Sequence, residues 1–218
     1  MSEPTHATLQ SLTVSWCHKL VSLTEGGLAA PNLTHLQLNC CDKLEALPPN
    51  MHTLLPNLQS LKIEYCRGIC RFPEGGLPPN LKKLRMNGYE ELLRDLSSIG
   101  SLEALTHLKI NGSGCESKIK SFPEVGLLPH LPSLTTLEII WFDNLETLEC
   151  NELLRLTSLQ RLYIFWCPKL ENMAGEKLPS SLLLLHITDC PELKHQHIWP
   201  KIEHIPTIEV EDTERLYR

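Results

Sequence analysis

The chain has 218 residues, of which 43 are leucine, and 21% of the residues are charged, with a net charge of −6. This aliphatic content excludes a disordered chain, and the acidic balance is the wrong sign for general nucleic-acid binding. No apolar run approaches the roughly 18 residues of a membrane-spanning helix, so we expect no nucleic-acid partner and no integral membrane segment.

A phrase of the form L-x-x-L-x-(L/V/I)-x-x-C recurs along the chain, first as LQSLTVSWC at 9–17. Its eight starts are Leu9, Leu33, Leu58, Leu81, Leu105, Leu134, Leu159 and Leu182. The mean spacing, about 25 residues, is typical of leucine-rich repeats. Because the second and third apolar positions are two residues apart, both point to one face of a strand. The sequence therefore predicts an α/β leucine-rich-repeat solenoid with a concave parallel β-sheet of about eight or nine short strands and an irregular convex face with a few short helices.

The segments that connect the strands alternate in character. Repeats one, three, five and seven return through short segments that contain glycine, at 25–28, 74–77, 124–127 and 175–178, and such segments favour tight turns. Repeats two, four and six return through helix-prone residues at 50–55, 90–105 and 151–156. We therefore predict short helices on alternate rungs, and a surface loop inserted near 112–115.

Five of the nine cysteines share one position, three residues after the third apolar position of the strand: Cys17, Cys41, Cys66, Cys167 and Cys190. Tyr89, Ser113 and Phe142 occupy it in the other repeats. A position that accepts Cys, Tyr or Phe is expected to be a packing site at the strand-to-turn corner. Equivalent positions on successive rungs are not disulfide partners, so we predict reduced cysteines and a location in the cytoplasm or nucleus.

The two ends of the chain differ. The first repeat begins at Leu9 with no polar cap before it, as expected if further chain precedes it or if another surface covers it. We assign residues 1–194 to the solenoid and 195–218 to a C-terminal capping segment and charged tail. That segment contains one last strand-like stretch at 199–210, and its Pro200 and Pro206 disfavour a further strand beyond it.

Side chains between the core positions are expected to face solvent along the concave sheet and are the candidates for function. The residue just before the cysteine position is Trp16, Cys40, Tyr65, Gly88, Gly112, Trp141, Trp166 or Asp189, so three of the four tryptophans share one column. Repeat seven adds Tyr163 and Phe165 beside Ile140 of repeat six, which predicts an exposed apolar cluster of the kind that marks interaction sites. The alternative, that these rings cover the strand-to-loop corner as structural filling, stays open.

A second candidate surface is basic. Solvent-facing strand positions of repeats three to five are predicted to hold Lys62, Lys82, Lys83, Arg85 and Lys109. This stripe could engage an acidic surface, including another domain of the same polypeptide, or it could be an ordinary solvated face. The partner-binding residues that we single out are Trp16, Tyr65, Lys83, Arg85, Ile140, Trp141, Tyr163, Phe165 and Trp166.

Sequence motifs for catalysis are absent: there is no G-x-S-x-G, no H-E-x-x-H and no dinucleotide fingerprint. We therefore predict a protein that is not an enzyme and holds no cofactor. The histidines at 195, 197 and 204, together with Cys190, match no standard zinc spacing, so we also expect no metal site.

Three longer phrases carry a family resemblance. They are L-x-x-L-x-I-x-x-C-P-x-L at 159–170 and 182–193, F-P-E-G-G-L-P at 72–78, and W-P-K-I-x-H-I-P-T-I at 199–208. Together they resemble the plant intracellular nucleotide-binding leucine-rich-repeat disease-resistance proteins, most closely the coiled-coil class. The resemblance covers nearly the whole chain, but only the C-terminal repeat region of such a protein, and the P-loop pattern is absent from this sequence.

The resemblance implies a protein–protein recognition and autoinhibition module of a plant immune receptor. Its partner would be a pathogen effector, a guarded host protein, or the upstream nucleotide-binding module of the same polypeptide. The alternative function is the substrate-receptor repeat domain of an F-box-type ubiquitin ligase, although those repeats usually carry a regular helix on every rung. An extracellular receptor ectodomain is a third, weaker alternative.

Overall fold

The computed structural model describes residues 6–24, 27–87, 89–100, 102–113, 119–124, 126–193 and 200–212. Its strands are β1 (Ser11–Ser15), β2 (His35–Asn39), β3 (Ser60–Glu64), β4 (Lys83–Asn87), β5 (His107–Asn111), β6 (Ser121–Phe122), β7 (Thr136–Ile140), β8 (Thr147–Glu149), β9 (Arg161–Phe165), β10 (Asn172–Ala174), β11 (Leu184–Thr188) and β12 (Thr207–Glu211). Its helices are α1 (Met51–Leu54), α2 (Glu90–Arg94), α3 (Cys150–Leu153) and a 3-10 helix, Leu96–Ile99. None of the described helices has the length and apolar character that crossing a membrane requires.

Nine of the strands form one parallel sheet in the order β1-β2-β3-β4-β5-β7-β9-β11-β12. Neighbouring strands pair without slippage, so that Leu36 of β2 aligns with Leu12 of β1 and with Leu61 of β3. At about 4.8 Å per strand, the sheet is roughly 38 Å long. The predicted solenoid is confirmed, and β12 is its ninth strand.

The three aliphatic residues of each repeat phrase form the core. In the second repeat Leu33, Leu36 and Leu38 are fully buried, and the equivalent residues of the inner rungs are buried in the same way. Leu12 and Val14 of β1, by contrast, are only half-buried. A single rung cannot bury its own apolar face, so the stability of the fold lies in the contacts between neighbouring rungs.

Helices occupy alternate rungs, as predicted: α1 lies in repeat two, α2 in repeat four and α3 in repeat six. Glycine is required beside two of these helices. A Cβ atom on Gly27, whose φ is +110°, would lie 2.5 Å from Leu54 Cδ1 of α1, and one on Gly175, whose φ is +108°, would lie 2.6 Å from Asn151 Oδ1 of α3. At these two positions glycine, which has no Cβ, leaves room for the helix of the neighbouring rung.

The sequence did not indicate a second sheet. Strands β6, β8 and β10 form a three-stranded parallel sheet on the connections of repeats five to seven, in the order β10-β8-β6. Leu148 of β8 aligns with Phe122 of β6 and with Met173 of β10, and all three side chains are buried. The predicted loop near 112–115 extends beyond the described residues, because 114–118 lie outside them.

Asparagine side chains tie the first rungs together at the N-terminal end of the sheet. The Nδ2 atoms of Asn32, Asn57 and Asn80 donate to the backbone oxygens of Ala7, Pro31 and Pro56 at 2.7, 2.8 and 2.8 Å. Each bond joins one rung to the preceding one and satisfies a carbonyl that the parallel ladder leaves unpaired.

The repeated cysteines are free, and in the inner rungs they are buried. Their thiols donate to the carbonyl two residues earlier, from Cys66 to Glu64 at 3.4 Å and from Cys167 to Phe165 at 3.6 Å. Cys17, in the edge rung, is exposed. Burial raises the pKa of Cys66 to about 12 and that of Cys150 to about 11. The predicted packing role is confirmed for the four buried cysteines of the repeated position, Cys41, Cys66, Cys167 and Cys190.

Candidate functional site

The residues that directly follow the concave strands form a row along the C-terminal ends of these strands, which we call the rim column. Its described members are Trp16, Cys40, Tyr65, Gly112, Trp141, Trp166, Asp189 and Asp212, while Gly88 lies outside the described residues. The backbone N–H groups still extend the sheet ladder, since Trp141 N donates to Phe165 O and Trp166 N donates to Thr188 O, both at 2.9 Å. Each residue of the column therefore stands where a strand passes into the following loop, so the two possibilities raised by the sequence, a partner contact or filling of this corner, both stay predictions.

Six members of the rim column have a left-handed backbone, with φ between 51° and 60°: Trp16, Cys40, Tyr65, Trp141, Trp166 and Asp189. This turn sends the next residue, such as Phe142 after Trp141, into the core. The left-handed conformation costs an L-residue roughly 1–2 kcal/mol, and glycine, asparagine and aspartate tolerate it best. Tryptophan and tyrosine are therefore poor choices for the backbone at these positions.

Both indoles at the C-terminal end of the rim column are well exposed, Trp141 at 40% and Trp166 at 39% of their surface. They stack on each other with ring centroids 4.4 Å apart and an interplanar angle of 15°. The stack continues onto the concave face, because Trp166 meets Phe165 edge-on at 5.9 Å and Phe165 lies 5.7 Å from Tyr163. The structure therefore brings these four predicted residues together.

His186 completes this group, although no feature of its sequence position indicated it. Its ring lies 5.0 Å from Phe165 and 6.0 Å from Tyr163, and its Nδ1 is 3.1 Å from Glu209 Oε2. We call Trp141, Tyr163, Phe165, Trp166 and His186 the aromatic cluster.

Ile140 is a correction to the predicted exposed cluster. It occupies the concave-face position of β7 but is only 4% exposed. Its register partners are Asn111 on one side and Phe165 on the other, so it lies between the side chains of two neighbouring strands. Ile140 supports the cluster from below, and a partner would not reach it directly.

A cavity of about 330 Å³ opens beside the stacked indoles. It is lined by Trp141, Asp143, Trp166, Pro168, Asp189, Pro191 and Asp212. We call it the rim cavity. Its carboxylates were not among the site residues predicted from the sequence, although Asp189 belongs to the predicted column. Asp212 occupies the same column on the ninth rung, where the repeat phrase is no longer recognisable.

Trp16 and Tyr65 belong to a different part of the rim column. They line a second cavity, of about 570 Å³, with His18, Cys40, Asp42 and Arg67. Trp16 is the more exposed of the two, at 71%, and Tyr65 is 38% exposed and bonded through its hydroxyl to Ser113 Oγ at 2.8 Å. Three strand spacings, roughly 14 Å, separate Tyr65 from Trp141, so the predicted aromatic residues form two groups.

The basic stripe is smaller than predicted. Lys62 is paired with Glu64 at 2.9 Å and Lys109 with Glu138 at 3.0 Å, and Lys82 precedes β4. Lys83 and Arg85 of β4 remain exposed, and neither has an ion-pair partner within the part of the chain that the structure describes. Arg85 aligns with Lys62 and Lys109 on its two sides, an arrangement of like charges that disfavours folding.

The pKa of His107 is affected by these positive charges. Its pKa is lowered, first by partial burial and then by the nearby charge of Lys83, with Glu138 opposing. The imidazole is therefore neutral at neutral pH, and the positive charge at this place comes from Lys83 and Arg85.

Within the described ranges, no group of three or more His, Cys, Asp or Glu side chains could hold a metal ion. Cys190 is buried and donates to Thr188 O at 3.5 Å, and His204 Nε2 lies 3.2 Å from Pro179 O. His195 and His197, the other residues weighed for zinc, lie outside the described residues.

The comparisons with known proteins extend these observations. No protein-family model matches the chain. The putative disease resistance protein At3g14460 of Arabidopsis thaliana is 34% identical over 193 residues, which cover 86% of this chain. The chain is homologous to plant disease resistance proteins. The disease resistance protein RPS4B of the same plant is 28% identical in an alignment of 214 residues that covers 81% of this chain.

The matched regions are a small part of these relatives, 13% of the first and 17% of the second. The homology therefore concerns the leucine-rich repeats, and the activities of the whole relatives are not transferred to this chain by it.

Proposed function

We propose that this chain is the protein-recognition region of a plant immune receptor of the coiled-coil class, that it acts in the cytoplasm, and that the aromatic cluster is its main partner contact. The names of the two relatives support a role in disease resistance. The partner is a pathogen effector or a guarded host protein. A preformed, rigid sheet loses little conformational entropy when it binds, which suits a recognition surface.

The observation that carries this proposal is the pair of exposed, stacked indoles on a left-handed backbone. The fold alone would favour glycine or asparagine there, because the left-handed conformation costs a bulky residue free energy. Strained backbone positions concentrate at functional sites, and tryptophan is the residue most enriched among binding hot spots. Both features fit a site selected for binding more readily than structural filling.

Lys83 and Arg85 supply a second contact in this proposal, with an acidic surface of the nucleotide-binding module of the same polypeptide. Lys62 and Lys109 beside Arg85 are paired with Glu64 and Glu138, so an acidic partner would neutralise chiefly the charges of Lys83 and Arg85. Such a contact would hold the receptor in its resting state. Disrupting it releases autoinhibition.

We propose binding without catalysis. The alternative of an F-box-type substrate receptor gains no support, because the described helices occur on alternate rungs, whereas that class usually carries one on every rung. The relatives are disease resistance proteins, which favours the first reading.

The test uses the full-length receptor that contains this region, expressed in plant tissue. We expect Trp141→Ala/Trp166→Ala to abolish the response to the pathogen, because the indole hot spot is lost. Leu183→Ala is the matched control: it removes a 52%-exposed apolar side chain outside the rim column and should leave the response intact. Equal loss in both variants, or loss in neither, contradicts the proposal.

The autoinhibitory contact has its own test in the same system. We expect Lys83→Glu/Arg85→Glu to trigger defence signalling without a pathogen, because two charges at the contact are reversed. Lys19→Glu/Lys43→Glu makes the same change of charge in repeats one and two, at exposed positions, and should stay silent. Signalling by both variants would point to net charge, not to this contact.

A further inference from the structure

We propose that a cavity on the concave sheet, beside the aromatic cluster, binds a carboxylate side chain, aspartate or glutamate, of the partner protein. The cavity has a volume of about 490 Å³, and we call it the concave cavity. Its lining residues are His107, Thr136, Glu138, Arg161, Tyr163 and Phe165. This inference rests on the proposed function and specifies the chemistry of the partner.

The concave cavity lies between the basic residues of β4 and the aromatic cluster. One row of residues on the concave face crosses four neighbouring strands in register: Lys83, His107, Thr136 and Arg161. Lys83 and Arg161 are therefore three strand spacings, roughly 14 Å, apart. His107 and Thr136 lie between these two cations.

Arg161 supplies the positive charge of the cavity wall. It is exposed, and it has no ion-pair partner within the ranges of the chain that the structure describes. The carboxylate that also lines the cavity, Glu138, is paired with Lys109 Nζ at 3.0 Å. A guanidinium donates two parallel hydrogen bonds to one carboxylate, so Arg161 is suited to hold a carboxylate that the partner brings.

The balance of charge around His107 is positive. The pKa of His107 is lowered first by partial burial and then by the charge of Lys83, and the more distant Arg161 and Arg85 act in the same direction. Glu138 opposes them. Three cations therefore act on this place against one carboxylate, and a positive potential in a concave surface attracts an anion.

The hydroxyl group of Thr136 is a polar group that the fold does not use. Thr136 is only 5% exposed, and its Oγ1 is buried without a hydrogen-bond partner among the described residues. Such an atom is costly to bury. Because Thr136 lines the cavity, rotation about its Cα–Cβ bond turns the hydroxyl toward a bound carboxylate, to which it then donates.

The aromatic part of the wall specifies the neighbours of the acidic residue. Tyr163 and Phe165 belong both to the aromatic cluster and to the lining of the concave cavity. They follow Arg161 by two and four residues on β9, which corresponds to roughly 7 and 13 Å along the strand. An extended partner segment reaches both places when an apolar residue stands two to four positions from the acidic one.

Other occupants fit the concave cavity less well. A cationic side chain would be repelled by Arg161, and an apolar side chain would cover the guanidinium without pairing it, which is costly. A phosphate group carries nearly two negative charges at neutral pH, whereas the described lining contributes one cation. A carboxylate matches that single charge.

The test measures the preference for a carboxylate with a short peptide. The 218-residue chain is titrated with the N-acetylated, C-amidated peptide leucine-alanine-glutamate-alanine-leucine, and the ring resonances of His107 are followed by NMR. We expect saturable shifts with a dissociation constant on the order of 1 mM, and weaker binding at high salt. The bound carboxylate should also raise the pKa of His107 toward 6.5.

Matched peptides isolate the charge of the central residue. The same peptide with glutamine in place of glutamate keeps both leucines and the shape of the side chain, and it should bind at least about fivefold more weakly. The peptide with lysine at this place should leave the His107 resonances unshifted, because Arg161 repels it. The peptide with phosphoserine should bind no more tightly than the glutamate peptide.

Three variants locate the binding in the concave cavity. Arg161→Gln should weaken binding of the glutamate peptide at least about fivefold, whereas Arg71→Gln, which removes the same charge at an exposed position outside the sheet, should leave it within about twofold of the original. Thr136→Val should weaken binding about threefold without lowering Tm, because the hydroxyl makes no hydrogen bond within the described part of the free chain.

The inference is overturned if the glutamine peptide binds as tightly as the glutamate peptide, if no peptide binds, or if Arg161→Gln and Arg71→Gln behave alike. Tighter binding of the phosphoserine peptide would show that the site is built for phosphate. The occupant would be a second copy of the chain if the chain dimerises in sedimentation and Arg161→Gln abolishes the dimer. It would be the receptor itself if Arg161→Gln in the full-length receptor triggers signalling without the pathogen.

Failure of this inference and failure of the proposed function give different results. If Trp141→Ala/Trp166→Ala abolishes the pathogen response but the glutamate peptide does not bind, the aromatic cluster is an apolar hot spot and only the carboxylate site is wrong. If the glutamate peptide binds but the same variant responds normally to the pathogen, the carboxylate site stands and the proposed function is wrong.

Discussion

The left-handed backbone of Trp166 leads to a prediction that reverses an ordinary rule of stability. In a strand, alanine normally stabilises more than glycine, by roughly 0.5–1 kcal/mol, because glycine loses more freedom on folding. At φ near 53° alanine also bears a steric cost of roughly 1–2 kcal/mol that glycine escapes. The second effect is the larger one. We therefore expect Trp166→Gly to be more stable than Trp166→Ala by about 1 kcal/mol.

The comparison between the two variants isolates the backbone. Both lose the indole, its stack on Trp141 and the apolar surface that it covers, so those losses cancel in the difference. The matched control compares Arg85→Ala with Arg85→Gly, because Arg85 is exposed and lies within β4. There the alanine variant should be the more stable one by about 0.5–1 kcal/mol.

Urea denaturation followed by circular dichroism measures both differences. For a domain of this size, 1 kcal/mol corresponds to roughly 2–4 °C in Tm, so thermal melts provide a second readout. If Trp166→Ala is at least as stable as Trp166→Gly, the backbone at position 166 is not strained. Backbone strain would then no longer support a binding role for Trp166.

Three further predictions concern groups elsewhere in the fold. The pKa of His107, measured as its NMR titration midpoint, should lie below its ordinary value of 6.5, and Lys83→Gln should raise it. Because folding favours the neutral imidazole, the contribution of His107 to stability is complete above pH 6.5 and is lost as the pH falls toward the lowered pKa. A midpoint above 6.5 would contradict the assignment. Iodoacetamide at pH 8 should modify the exposed Cys17 but not the buried Cys66, whose pKa is about 12, until urea unfolds the chain; early modification of Cys66 would show that the packing position opens. Asn57→Ala removes a hydrogen bond between rungs, from the side-chain amide of Asn57 to a backbone oxygen. It should lower the free energy of unfolding by about 1 kcal/mol. An unchanged urea midpoint would show that water replaces this hydrogen bond.

The repeat, the strands and most of the core could be predicted because each follows from a local period. Residues such as Leu36 and Leu38 are two apart and recur every rung, which fixes strand, face and parallel pairing together. The alternate helices were also predictable, because returns that contain glycine alternate along the sequence with helix-prone segments.

The second sheet could not be predicted because its strands are two or three residues long. Ser121–Phe122 is too short to show any period. It becomes a strand only because the next rung presents Thr147–Glu149 beside it. That is a consequence of stacking and not of local sequence.

The composition of the site was predictable, but its geometry was not. The column of Trp141 and Trp166 was visible in the sequence, whereas its left-handed backbone was signalled only weakly, by Asp189 in the same column. The burial of Ile140 was not predictable, because it depends on which side chains the neighbouring strands place beside it, here Asn111 and Phe165. Two lysines of the basic stripe are neutralised by ion pairs, and only one of these pairs was predictable. Lys62 and Glu64 are two residues apart on one strand face, whereas the Lys109–Glu138 pair joins two rungs and has no local signal.

The claim that the aromatic cluster is covered by a partner is tested most directly by hydroxyl-radical footprinting of the full-length receptor, before and after it detects the pathogen. Oxidation of the indoles follows their accessibility, and both are about two-fifths exposed in this structure. We expect the oxidation rates of Trp141 and Trp166 to fall together in the responding receptor, while Leu183 stays unchanged. Indoles that are oxidised at the same rate in both states would contradict the account.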